Sequence, residues 1–298
     1  MSRFRTILVP IDFSEHADAA LDRALAIARA GGGRVHLLHA YEIPLGTIPP
    51  YGVEIPEAVL TGVRDAAARR LEKAAHKAEG AGVPCEAHLV HAPAASAIVE
   101  SARALGVDLV VMGTRGLTGL KHVLLGSVAE RTVRTAPCPV LTVKPDGPAS
   151  AGFAKILVPA DFSTHAERAL ALAIELAQES AGEIHLLHAY ELPASVTMAY
   201  GIAIPQTVWD GVQEAGAARL AELAKRVEKA GVRVVSHLMT APAADAIADA
   251  AAAHRVDLVV IATRGLTGLK HVVLGSVAER TLRIAPCPVL TVRSDDAD

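Results

Sequence analysis

The chain repeats itself once along its whole length, and that repeat limits its fold more than any other feature. VPIDFSEHA at 9–17 returns as VPADFSTHA at 158–166, and HLLHAYE at 36–42 returns at 185–191. HAPAASAI at 91–98 returns as TAPAADAI at 240–247. The displacement is 158 − 9 = 185 − 36 = 240 − 91 = 149 each time, half of the 298 residues, so the two halves carry no net insertion. The longest shared segment, 108–143 against 257–292, differs at only five of 36 positions. Such a period is too long for a solenoid repeat and fits a whole domain copied once. KPDGPASAGFAK at 144–155 has linker composition, which predicts domains over 1–147 and 148–298.

Within one copy, short β-branched runs alternate with longer Ala/Leu-rich stretches. Strands are predicted at 6–11, 35–40, 84–90, 108–112 and 140–143, and helices at 14–29, 57–79, 94–105 and 127–134. Ser14 suits the first helix as an N-cap, and Gly31, Gly80 and Gly106 suit helix stops. Continuous apolarity through Leu109, Val110 and Val111 suggests a strand covered on both faces. The alternation predicts an α/β fold, a doubly wound parallel sheet with helices on both sides. Ligands of such sheets bind beyond the carboxyl ends of the strands.

Composition narrows the function classes. A net charge of −3 gives no general attraction to nucleic acid or anionic membranes, and 3% aromatic residues provide no stacking platform. Three cysteines, Cys85, Cys138 and Cys287, without CxxC or Cys/His metal spacing point to a reducing compartment. With no apolar run long enough to span a bilayer, a cytoplasmic protein is expected.

Two features could carry chemistry. Asp12 leaves the first strand and could accept hydrogen bonds from a ribose, or it could simply help cap the next helix. Gly113-Thr-Arg-Gly116 is followed nine residues later by Gly126-Ser127 at a helix start. Glycines permit close backbone approach, helix-start N–H groups bind phosphate, and Arg115 or Lys121 could add positive charge. A Gly-rich loop that merely turns the chain is the alternative. Together, a carboxylate after one strand and a glycine loop after another describe a divided nucleotide site.

PIDFS, HLLHAYE, GTRGLTGLKHVLLGS and APCPVLTV resemble the universal stress protein family, in two tandem copies covering nearly the whole chain. G-x2-G-x9-G-S/T marks that family's ATP-binding branch, and the first copy meets it at every position. The resemblance implies two five-stranded parallel sheets of order 3-2-1-4-5, adenine nucleotide alpha-hydrolase-like. It would place adenine near Pro10, Ala40 and Met112, ribose on Asp12, and phosphates on Gly113, Gly116, Gly126, Ser127 and Val128, with Arg115 nearby. Mg²⁺ or Mn²⁺ would sit on the phosphates of ATP, or on those of ADP or AMP in its place. The second copy offers Pro159, Asp161, Ala189, Arg264, Gly265, Gly275, Ser276 and Val277, but Ala262 stands in place of the motif's first glycine. Binding in both halves, weaker in the second, is therefore expected. The last strand of each copy is apolar and expected at a sheet edge, and the family pairs through this strand, so an intrachain pseudo-dimer is implied.

Other residues favour plainer roles. His36 and His39 point to opposite faces of a strand and cannot share one metal ion, so His39 and His188 are expected to be structural. The cysteines fit small buried hydrophobes better than a redox switch. Lys121, His122, Lys270 and His271, inside the glycine loops, are functional candidates. No catalytic triad or Walker A sequence is legible, so a nucleotide-dependent stress-response module with at most slow ATP hydrolysis is expected. The alternatives are a slow ATPase and a nucleotide-free interaction module, with an unknown protein partner in either case.

Overall fold

The computed structural model describes residues 3–42, 56–116, 125–145, 152–191, 205–265 and 274–293. It divides into two compact units, Met1–Ala151 and Gly152–Asp298. In the first unit the chain runs β1 (Thr6–Pro10), α1 (Glu15–Gly31), β2 (Arg34–Tyr41), α2 (Glu57–Gly80), β3 (Cys85–His91), α3 (Ala94–Ala104), β4 (Leu109–Gly113), α4 (Ser127–Thr135) and β5 (Val140–Val143). The second runs β6 (Lys155–Pro159), α5 (Thr164–Ser180), β7 (Glu183–Tyr190), α6 (Gln206–Lys229), β8 (Arg233–Thr240), α7 (Ala243–Ala253), β9 (Leu258–Ala262), α8 (Ser276–Ile284) and β10 (Val289–Val292).

Each unit holds a five-stranded all-parallel sheet, ordered β3-β2-β1-β4-β5 in the first and β8-β7-β6-β9-β10 in the second. This is the 3-2-1-4-5 order, and the crossovers diverge between strands 1 and 4. The reason lies in the apolar runs. Ile7, Leu8 and Val9 of β1 and Leu109, Val110 and Val111 of β4 are fully buried, as strands covered on both faces must be. α1 supplies one cover through Ala20, Leu21, Ala24 and Ala28, all buried on one stripe.

Helix ends follow local chemistry. Ser14 caps α1, its hydroxyl accepting from the Ala17 N–H at 3.2 Å, and Ser163 does the same for α5. The expected stops hold to a residue, Gly31 and Gly80 being the last residues of α1 and α2. The left-handed turn after α1 falls on Gly32, and its counterpart after α5 is Ala181, at φ +50°. The expected linker also ends early. Phe153 is buried, its carbonyl accepts from the Ser180 hydroxyl at 2.9 Å, and Lys155 opens β6.

Candidate functional site

β1 delivers Asp12 through a backbone that only a fixed surrounding would tolerate. Phe13 lies at φ +66° and Phe162 at φ +63°, a left-handed conformation that costs about 1–3 kcal/mol for such residues. In the first unit the Phe13 ring packs on His39 at 4.4 Å between centroids, with the Arg70 guanidinium 4.2 Å from its centroid. His39 in turn directs Nδ1 to the Ile11 carbonyl at 2.6 Å. Phe162, His188, Arg219 and the Ala160 carbonyl repeat the arrangement. The two histidines thus hold the β1–α1 and β6–α5 corners.

That corner fixes the carboxylate. Asp12 Oδ1 accepts from the Ser14 N–H at 3.0 Å and from its hydroxyl at 2.6 Å. Asp12 therefore does buttress the helix cap, and it also points its other oxygen toward the glycine loop. A Cβ built on Gly116 would meet Asp12 Oδ2 at 2.5 Å, so a larger residue there would have to displace this carboxylate. Gly265 and Asp161 repeat the contact at the same distance.

A cavity of about 470 Å³ opens at the carboxyl ends of β1 and β4. Pro10, Asp12, Ala40, Met112, Gly113, Arg115, Gly116, Gly126, Ser127 and Val128 all line it, so the structure brings these ten expected residues of the first half to one place. Ile98 of α3 and Leu38 of β2 extend its apolar wall, which sequence spacing did not reveal. On the polar side, α4 begins at Ser127 after Gly126 with no side-chain cap. Its first amides have no intrahelical acceptor, which makes this end a ready anion site. Gly126 itself is anchored by donating to the Thr114 carbonyl at 2.9 Å.

The second unit gathers Pro159, Asp161, Ala189, Ala262, Arg264, Gly265, Gly275, Ser276 and Val277 around a smaller cavity of about 260 Å³. Gly113 explains part of the contrast. A methyl there would come within 2.6 Å of His16 Cβ and 2.9 Å of the His16 carbonyl carbon, so this glycine admits α1 close to β4. Gly113 has no positive φ. Ala262 carries that methyl, and it is buried. The glycine thus serves helix packing beside the cavity, a role the loop motif does not show. Lys121, His122, Lys270 and His271 lie outside the described residues.

Burial pushes the Cys138 thiol up to about 12 and the Cys85 thiol up to about 11, which keeps these two groups protonated, and Cys287 is buried. Among the described residues no helix is long and apolar enough to cross a membrane.

Comparison with known proteins places this geometry. The model of the universal stress protein family matches residues 3–144 and again 152–293. A universal stress protein of Thermus aquaticus is 41% identical over 146 residues, 47% of this chain and 99% of that protein. One of Mycobacterium tuberculosis is 28% identical over 297 residues, covering 96% of each chain. The crystal structure of a universal stress protein from Archaeoglobus fulgidus superposes with a TM-score of 0.74 over 98% of this chain and 97% of that one, at 23% identity, a likeness of fold. With the family matched once in each half, the chain belongs to the universal stress protein family as a tandem member.

Proposed function

We propose that each half binds an adenine nucleotide, ATP foremost, and that occupancy biases a conformation read by a protein partner in a cytoplasmic stress response. The observation that carries this reading is the meeting, in one cavity, of an apolar wall, a carboxylate, a glycine loop and an uncapped helix start. At about 470 Å³ the first cavity lies within the roughly 300–1,000 Å³ common for small-molecule sites, whereas the second, at about 260 Å³, falls just below it. Pro10, Ala40 and Met112 would flank the base, Asp12 would hold the ribose, and Gly116, Gly126, Ser127 and Val128 would face the phosphates. Uncapped amides and the positive end of α4 suit an anionic group there. Mg²⁺ or Mn²⁺ bound to the phosphates would supply charge neutralisation.

Slow hydrolysis is the second reading, favoured by one observation: Asp12 stands in the same cavity as the phosphate-facing loop. Binding alone stabilises the folded state by mass action, by about 2.7 kcal/mol at a hundredfold excess over Kd. Millimolar ATP with Mg²⁺ should therefore raise the melting temperature of the chain, and Asp12→Ala should reduce the rise. An unchanged melting temperature would favour a nucleotide-free interaction module. Steady phosphate release, lost in Asp12→Ala, would favour the ATPase. We further propose that the two halves associate as a pseudo-dimer within one chain.

A further inference from the structure

A cluster of imidazoles lies in the second unit, well away from the cavity. His185 on β7 places Nδ1 2.9 Å from Nε2 of His237 on β8. The two rings stack with 5.1 Å between centroids and 1° between planes. His254, the residue that ends α7, brings its ring within 4.4 Å of His237 and 5.1 Å of His185. One ring nitrogen from each of the three lies within 4.8 Å of the others. Behind them, Glu183 Oε1 stands 3.3 Å from His185 Nε2. α7 runs between this cluster and the cavity, which its first residue, Ala243, lines, so the two are separated by roughly 16 Å along the 11-residue helix.

We propose that His185, His237 and His254 bind one divalent transition-metal ion of the zinc type. Three neutral imidazoles converging from two strands and a helix end make a tripod that leaves a fourth position for water. At metal–nitrogen distances of about 2.0–2.1 Å, tetrahedral ligand atoms stand roughly 3.3 Å apart, inside the spread the three nitrogens already show. Glu183 supplies the carboxylate that commonly accepts the outer N–H of a metal-bound histidine and fixes its tautomer. The carboxyl end of α7 adds the negative end of a helix dipole. Lys155 Nζ, 3.7 Å from Glu183 Oε1, and Arg233 Nη2, 3.9 Å from Oε2, share that carboxylate and keep it on the outer side of the cluster.

The first unit provides an internal control. His36 and His88 repeat the contact between imidazole nitrogens, with Nδ1 and Nε2 3.0 Å apart, but their rings are tilted by 31°. Leu105 replaces the third imidazole and Arg34 replaces Glu183, and the nearby carboxylate of Glu86 is 67% exposed. Ligand atoms of His36, His88 and Glu86 also lie within 4.8 Å of one another, but with an exposed carboxylate as the third ligand and a cation in place of the supporting carboxylate they make a poorer site.

The experiment titrates the untagged, nucleotide-free full chain with Co²⁺ and then Zn²⁺. One equivalent of Co²⁺ should give the visible absorption of a four-coordinate site, and Zn²⁺ should abolish it. His254→Leu, which installs the first unit's own residue, should weaken binding at least about tenfold by loss of a ligand. Glu183→Gln keeps all three imidazoles and should cost about 10–100-fold. Leu105→His with Arg34→Glu should create a second equivalent. The proposal is overturned if no Co²⁺ band forms at one equivalent, or if Zn²⁺ affinity is the same in wild type, His254→Leu and Glu183→Gln.

Discussion

At the scale of single residues, Ala262 carries a methyl that Gly113 lacks at the matching position beside the two cavities. The hydrogen at Gly113 faces the backbone of α1 at His16, where an added Cβ would sit 2.6–3.0 Å from three atoms of that residue. Because two of those atoms belong to the helix backbone, no rotamer change relieves the clash, and α1 must move. Gly113→Ala should therefore destabilise the first unit by about 1–3 kcal/mol, the usual cost of overpacking. Chemical denaturation of the full chain measures this, and an unchanged first transition would refute it. At Gly116 the neighbour is instead the Asp12 carboxylate, so the two halves of the nucleotide motif touch each other directly. Here the sequence was informative about membership and silent about mechanism. Spacing identified both glycines as loop residues, but which packs on a helix and which on a carboxylate depends on contacts over 97 to 104 residues of chain.

At the scale of elements, strands and helices lie within two residues of the positions that periodicity predicts, because parallel strands buried on both faces leave unmistakable apolar runs. What periodicity could not show is pairing across strands. Strand geometry relates His36 only to His39, on its own strand, whereas its partner is His88, 52 residues on. A signal was present in the duplication, since both copies keep a histidine at 88 and 237 as well as at 36 and 185. The left-handed turn after α1 is hidden for a related reason. Gly31 closes α1 and two more glycines follow it, and only the backbone shows that Gly32 takes the left-handed turn, a position Ala181 fills at some conformational cost. The pseudo-dimer is also a matter of elements. Val140–Val143 and Val289–Val292 end the strand order of their respective units and are almost entirely apolar, a poor sequence for a bare sheet edge. Single cysteines placed along each strand, in a chain freed of Cys85, Cys138 and Cys287, should form intrachain disulfides for at least one pair. Failure of every pair to cross-link would contradict the association.

At the scale of the whole molecule, duplication followed by local divergence has made two units of one fold that differ in what they offer a ligand. The first has the larger cavity and a complete glycine motif; the second has a smaller cavity and, at the far end of α7, three converging imidazoles. The central claim is that the two cavities are unequal sites for one adenine nucleotide. Calorimetric titration of the full chain with ATP and Mg²⁺ tests it most directly. Two classes of site should appear, the tighter one weakened by Asp12→Ala and the weaker one by Asp161→Ala. A single class of two equal sites, or no heat of binding at millimolar nucleotide, would contradict it.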